Sequence, residues 1–331
     1  MRLRVTTATD LLQHSAGQRS GMLGVVQYGS GESHAGLGRV LAVPVAAVRA
    51  ATLGSTGDVC EAWQSPRPVH GGRDGPVHWC ADGVLAFLAV NIPDNGQHLE
   101  DAARSAYCAL FSEIDALGYP HLLRVWNHIA GINDASSGLE RYRQFNIGRQ
   151  QAFMGSGRHV AGASVPAASA LGADDGSPLT LYALASRQQP MAVENPRQMS
   201  AYHYPGDYGP CPPIFSRANL VDLGSPVLFV SGTASILGHQ NMHVGNCREQ
   251  TRETLRNINA LLEEVRIRHG VHWCTGDLRF KAYLRHAEDL PVVQEEMERA
   301  AGRPISCLFI QADVCRSELL VEIEGIALPA D

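Results

Sequence analysis

The strongest constraint on how this chain can fold is a strand–helix–strand pattern that occurs twice. The apolar run GVLAFLAVNIP (83–93) leads through a loop into HLEDAARSAYCALFSEIDALG (98–118). There Leu99, Ala103, Ala106, Tyr107, Leu110, Phe111, Ile114 and Leu117 recur at spacings of three and four. That spacing predicts a helix with one buried stripe, closed by Gly118 and Pro120, before the strand-like LLRVWNHIAGI (122–132). The second occurrence runs from SPVLFVSGTASI (225–236) through CREQTRETLRNINALLEEVRIRHG (247–270) to DLRFKAYLRH (277–286). It continues with a further helix, LPVVQEEMERAAG (290–302), and two strands, ISCLFIQADV (305–314) and ELLVEIEGIAL (318–328). Two such units imply a duplicated α/β module.

The boundary between the units falls at GASVPAASALGADDGSPL (162–179), which is small, polar and punctuated by Pro and Gly. It reads as an exposed connection. The expected organisation is therefore an N-terminal module over 1–160, a linker over 161–180 and a C-terminal module over 181–331. A chain of 331 residues has room for two domains of ordinary size.

Charge and motif content remove several function classes. The net charge of −6 gives no basic surface for nucleic acid, so an anionic ligand would need arginines gathered locally. No apolar run spans a membrane and no secretory signal is evident, so the expected compartment is the cytoplasm. The eight cysteines include no CxxC pair, and a disulfide framework is not expected. His239 and His243 are four apart but lack the HExxH glutamate. No GxGxxG, GK[ST] or GxSxG motif appears. Neither a metal nor an organic cofactor is expected.

Three stretches carry chemistry. In ELLVEIEGIAL strand alternation puts Glu322 and Glu324 on one face, either as two solvated carboxylates or with one of them at the mouth of a pocket. A carboxyl desolvated there has its pKa raised into the range of a general acid. In RFKAYLR, Arg279, Lys281, Tyr283 and Arg285 share a face that is either solvated or the wall of an anion site. The third stretch, ENPRQMSAYHYPGDYGPCPPIFSRA, holds Arg197, Arg217, Tyr202, Tyr204 and Tyr208 on a backbone stiffened by Pro and Gly. A rigid loop presenting guanidinium forks and phenol rings suits a ligand with carboxylates and a flat ring.

These stretches also carry a resemblance. YGP…FSRA, VLFVSGTASI, QTRETLRNINALLEEV and VEIEGIA, in this order over 208–328, resemble the YjgF/RidA-like superfamily. The implied fold class is α/β: two YjgF/RidA-like (chorismate-mutase-like) α+β modules in one chain, mixed sheets with helices packed on one face. The N-terminal module would be the diverged copy. The longer pattern ENPRQMSAYHYPGDYGP, with RQFNIGRQQAF (143–153) and ADVCRSELLVEIEG (312–325), is similar to the chorismatase family over nearly the whole chain.

That resemblance implies a cofactor-free enzyme taking chorismate to pyruvate plus 3-hydroxybenzoate, with 4-hydroxybenzoate as a second product of some members. A dihydroxycyclohexadiene carboxylate is the product of another subtype. Glu322 matches the glutamate that protonates the enolpyruvyl methylene, and Arg197 the substrate-binding arginine. Tyr202 and Arg217 lie in the same motif; Tyr283 and Arg285 complete the expected substrate contacts. Cys315 stands where hydroxybenzoate-forming members carry cysteine. Enamine/imine deaminases of the superfamily place an arginine before an SC pair, where this chain has Ile305. The superfamily's assembly implies a homotrimer, and a non-catalytic ligand binder is the remaining alternative.

Overall fold

A computed structural model of the chain describes residues 1–13, 20–29, 34–55, 57–94, 98–162 and 164–329. The first part contains β1 (Arg2–Thr7), α1 (Ala8–Gln13), β2 (Met22–Gly29), α2 (His34–Leu41), β3 (Val45–Arg49), β4 (Thr52–Leu53) and β5 (Val59–Gln64). The middle part contains β6 (His70–Asp74), β7 (Val77–Ala81), β8 (Leu85–Ile92), α3 (Leu99–Ala116) and β9 (His121–Ala130). It continues with the hairpin β10 (Ala135–Ser136) and β11 (Leu139–Glu140), then α4 (Arg141–Gly155), β12 (Ala167–Ala173) and β13 (Leu179–Ser186). The last part opens with β14 (Met191–Val193), β15 (Ala218–Asp222), β16 (Pro226–Thr233) and the hairpin β17 (Ile236–Leu237) and β18 (Gln240–Asn241). It ends with α5 (Cys247–His269), β19 (Arg279–Leu284), α6 (Leu290–Ala301), β20 (Ser306–Gln311) and β21 (Val321–Ala327).

The middle sheet has the order β12-β9-β13-β8-β7-β6, and the C-terminal sheet β14-β15-β16-β21-β19-β20-β4. Apart from β4 the two are the same sheet: β9 and β12 run parallel, as do β19 and β20, and the other neighbours are antiparallel. The expected duplication is there. The helices α3 and α4 cover one face of the middle sheet, and α5 and α6 one face of the C-terminal sheet, each over its own apolar cluster.

Two boundaries differ from expectation. The segment read as a linker holds β12, which pairs along its length with β9, and residue 181 falls inside β13. The small residues of AASALGA reflect close packing, not exposure. A Cβ at Gly172 would lie 2.9 Å from the backbone nitrogen of Asp313, and Gly172 N–H donates to the Asp313 carbonyl at 2.7 Å. The first 64 residues are also not part of the middle module. Their sheet, β1-β5-β2-β3, repeats the β8-β13-β9-β12 half of it, again with one parallel pair, β2 and β3. Among the described residues this is a third, partial copy, four strands of the middle sheet's six. Among the described residues its first helix, α1, has six residues where α3 has eighteen.

The uncovered faces of the three sheets share one interior. Tyr28, His128 and Tyr283 meet there, with ring centroids 6.2 Å (Tyr28–His128) and 6.4 Å (His128–Tyr283) apart. Beside them Lys281 Nζ donates to Glu61 at 2.7 Å, Tyr28 at 2.9 Å and Tyr182 at 3.2 Å, and lies 3.3 Å from Glu324. A buried ammonium is tolerated only with such partners. The face of β19 read as a cationic wall thus turns inward for Lys281 and Tyr283. No helix among the described residues is long and apolar enough to cross a membrane.

Candidate active site

A cavity of about 290 Å³ opens where the middle and C-terminal modules meet. Its floor is Ala168–Ala170 of β12 with Gly232 of β16 and Glu322 of β21; α4 lines one wall with Tyr142 and Arg149. The loop 204–217 and the turn 315–318 form the rest of the rim.

Glu322 is 4 % exposed and has no hydrogen bond or ion pair among the described residues. Burial is the main cause that pushes its carboxyl up to about 8; the neighbouring Glu324 adds to it, and Arg124 and Arg217 oppose it. Space for the carboxyl exists because residue 232 is glycine: a Cβ there would lie 1.9 Å from Glu322 Oε1. Glu324, two residues on, has the opposite environment. Burial works against its charge, but Lys281, Arg124 and hydrogen bonds from Trp126 and Ser169 outweigh it and hold that carboxyl below the usual range.

Three arginines line the cavity with N–H groups unused by the protein. Arg149, 2 % exposed, lies over the ring of Tyr107 at 5.1 Å, and its Nε and Nη2 have no partner. Arg217 donates through Nη2 to the Met199 carbonyl at 2.5 Å and to Tyr204 at 2.8 Å, with Nε left over. Arg316 stacks on Tyr208 at 3.9 Å, donates to His239 O and Asn241 Oδ1 through Nη1, and keeps Nη2 free. Buried donors without partners are costly, so such a set suits an anionic ligand.

Of the residues expected from sequence, the cavity gathers Glu322, Cys315 and Arg217, and also Tyr204 and Tyr208. Cys315 is half-buried, and burial pushes its thiol up to about 12, so it is a neutral S–H at neutral pH. The others lie elsewhere. Arg197 is ion-paired with Glu253 of α5. Tyr202 packs against the core of the middle module. Tyr283 is fully buried in the shared interior, paired with Glu322 on the ladder and so on the same face of the sheet, but it does not line the cavity. Arg285 pairs with Asp313 and donates to the carbonyls of Leu319, Val314 and Arg316, so it braces the turn before β21. No sequence pattern singles out Arg149, Tyr142, Ser169 or Arg316, which the cavity also gathers. The motif RQFNIGRQQAF contains Arg149, yet helical spacing alone does not tell which of its polar residues faces inward.

Residues 61–185 match the family described as chorismatase FkbO/Hyg5-like, N-terminal. A 3-hydroxybenzoate synthase of Streptomyces hygroscopicus is 39 % identical over 78 % of this chain and 78 % of its own length. A chorismatase of the same organism is 35 % identical over 92 % of this chain and 89 % of its own. The chain belongs to the chorismatase family. A crystal structure of a chorismatase superposes with a TM-score of 0.86 at 32 % identity, covering 99 % of this chain and 98 % of that one. The chorismatase fold therefore extends over 99 % of the chain, with the mixed-sheet α/β modules expected from sequence and the partial copy over residues 2–64.

Proposed function

We propose that the cavity converts chorismate to pyruvate and 3-hydroxybenzoate, with Glu322 as the general acid. The observation that carries this reading is a buried carboxyl, without a hydrogen-bond partner among the described residues, facing a cavity lined by three arginines with unused donors. Chorismate presents two carboxylates and an enol ether. Arg149, Arg217 and Arg316 bind the carboxylates, and a dianion beside Glu322 favours its neutral form further.

Glu322 gives its proton to the terminal methylene carbon of the enolpyruvyl group, and the ether carbon becomes an oxocarbenium. Water adds to that carbon; collapse breaks its bond to the ring oxygen and releases pyruvate. The ring keeps a hydroxyl, then loses the neighbouring hydroxyl as water and one ring hydrogen as a proton. The added water gives a proton back to Glu322, and the water consumed and the water lost from the ring cancel, so the two products together have the composition of chorismate and no oxidant or reductant is consumed. Cys315 borders the ring as a neutral thiol and steers which hydroxyl is lost. The apolar surfaces of Phe215, Ala170 and Ile236 exclude bulk water from the oxocarbenium.

The test is incubation of purified protein with chorismate, following pyruvate and separating the aromatic acids by chromatography. Pyruvate with 3-hydroxybenzoate is expected. Absence of pyruvate overturns the reading, and a dihydroxycyclohexadiene acid as end product overturns the assignment of aromatisation.

A further inference from the structure

Glu322 and Glu324 stand two residues apart on the same face of β21, and the fold treats them in opposite ways. Oε1 of Glu324 accepts from Trp126 Nε1 at 2.6 Å, and Oε2 from Arg124 Nη2 at 2.7 Å. Lys281 Nζ lies 3.3 Å from Oε1. Ser169 completes the set. Its Oγ accepts from Arg124 Nη2 at 2.5 Å and from the Gly232 N–H at 3.0 Å, so its own hydrogen goes to Glu324 Oε2 at 2.8 Å. A hydroxyl has one hydrogen and two lone pairs, and here all three are committed. Ser169 borders the cavity but has no proton left to donate to Glu322.

Resting on the reading of Glu322 as general acid, we propose that Glu324 is its positioning residue. Held as a carboxylate by Arg124, Trp126, Ser169 and Lys281, it makes Glu322 the carboxyl of the pair that keeps the proton. Two like charges facing the same side of one strand disfavour each other, and the carboxyl with donors takes the charge. Glu324 touches no substrate; it acts through the field it places on Glu322.

The other groups facing the pair fit this division. Around Glu324 stand Glu61 of β5, Tyr28 of β2, Tyr182 of β13, Tyr283 of β19 and Cys307 of β20. Burial keeps His128 of β9 neutral, at about 3. Lys281 is shared between Glu61 and Glu324, so its charge is already compensated. Around Glu322 stand Arg124, Arg217, Cys315 and Tyr142, the last two neutral by burial.

The experiment is the pH dependence of pyruvate release in the wild type and in Glu324→Gln, together with infrared titration of the substrate-free enzyme. The infrared band is assigned as the protonated-carboxyl stretch lost in Glu322→Gln. The wild type should lose activity, and the band, as pH rises through about 8. In Glu324→Gln both transitions should move toward acid by about one unit. If Glu324→Gln does not fold, Glu61→Gln/Lys281→Met/Glu324→Gln removes Lys281 with both of its carboxylates and should show a shift in the same direction. A transition that stays in place in the folded variant overturns the positioning role, since a merely structural residue would change stability without moving it. Full activity in Glu322→Gln would instead overturn the assignment of the acid.

Discussion

In the middle module the residue opposite His128 on the central ladder is Thr180; in the C-terminal module the residue opposite Tyr283 is Glu322; in the first copy, opposite Tyr28, it is Val59. These three positions are equivalent, yet their surroundings differ. Thr180 donates to Asn91 Oδ1 at 2.9 Å and lies 3.4 Å from the Ala47 carbonyl, so its hydroxyl is satisfied. Val59 packs into the shared apolar interior. Beside Glu322, glycine at 232 and small residues at 168–170 leave the space open. A module of this kind does not make an acid site by itself. The site requires a carboxyl at that position, a glycine on the facing strand and an arginine-bearing helix from the neighbouring copy.

The largest effect expected from this comparison is at Glu322. Glu322→Gln keeps shape and removes the proton donor, so kcat for pyruvate release should fall by about 10²- to 10⁴-fold with KM little changed. Its stability should carry the complementary sign. A carboxyl whose folded pKa is raised to about 8 from 4.5 destabilises the fold as pH rises between those values, because the folded state binds more protons there. Glu322→Gln should therefore raise the melting temperature more at pH 8 than at pH 5, by calorimetry. An equal effect at both pH values would mean that the carboxyl is not protonated in the resting enzyme.

Next comes the middle module. Thr180→Glu puts a carboxylate at a buried position where Asn91 and Ala47 already use the space. An uncompensated buried charge costs roughly 3 kcal/mol, so the denaturant midpoint should drop while turnover at the C-terminal site persists. Unchanged stability would show that the middle cleft is open enough to accept an acid, and that the three positions differ less than the structure indicates.

The expectation for Arg149 is smaller. Two of its donors have no protein partner, so Arg149→Met should raise KM for chorismate by roughly 10- to 100-fold, the range of one charge-assisted contact. Methionine can occupy the space over Tyr107 and Phe153, so thermal stability should change little. A lowered melting temperature with unchanged KM would make Arg149 a packing residue.

How much of this was legible before the fold was seen depended on where the pattern was regular. Strand alternation places Glu322 and Glu324 on one face without separating them, and the resemblance singles out Glu322; α3 and α5 are legible because their apolar stripes are continuous. β12 was misread because close packing against Asp313 demands the same small residues as a loop. The first copy is not legible as a copy because the six described residues of α1 are too few to show a helical period. Arg149 sits on α4, which buries Arg141, Gln144, Asn146 and Arg149 together, so no polar/apolar contrast reveals its inner face. Arg197 and Arg217 lie in one motif, and only three-dimensional placement separates them.

That pair gives the smallest expected effect and the sharpest reading of the loop 194–218. Arg197 is committed to Glu253, which also takes Arg256 and has His243 3.8 Å away, and its backbone is tied by the Gly238 N–H bond to its carbonyl. Its role in the fold is to hold the start of the loop against α5. Arg197→Ala removes a half-exposed ion pair worth up to about 1 kcal/mol, and Glu253 keeps Arg256 as a partner. KM and kcat for chorismate should stay within about twofold of the wild type, with a slightly lower melting temperature, whereas Arg217→Met should raise KM in the manner of Arg149→Met. A large KM increase in Arg197→Ala with intact stability would place its guanidinium on the substrate. It would mean that the loop rearranges when chorismate binds, releasing Arg197 from Glu253 into the cavity beside Arg217.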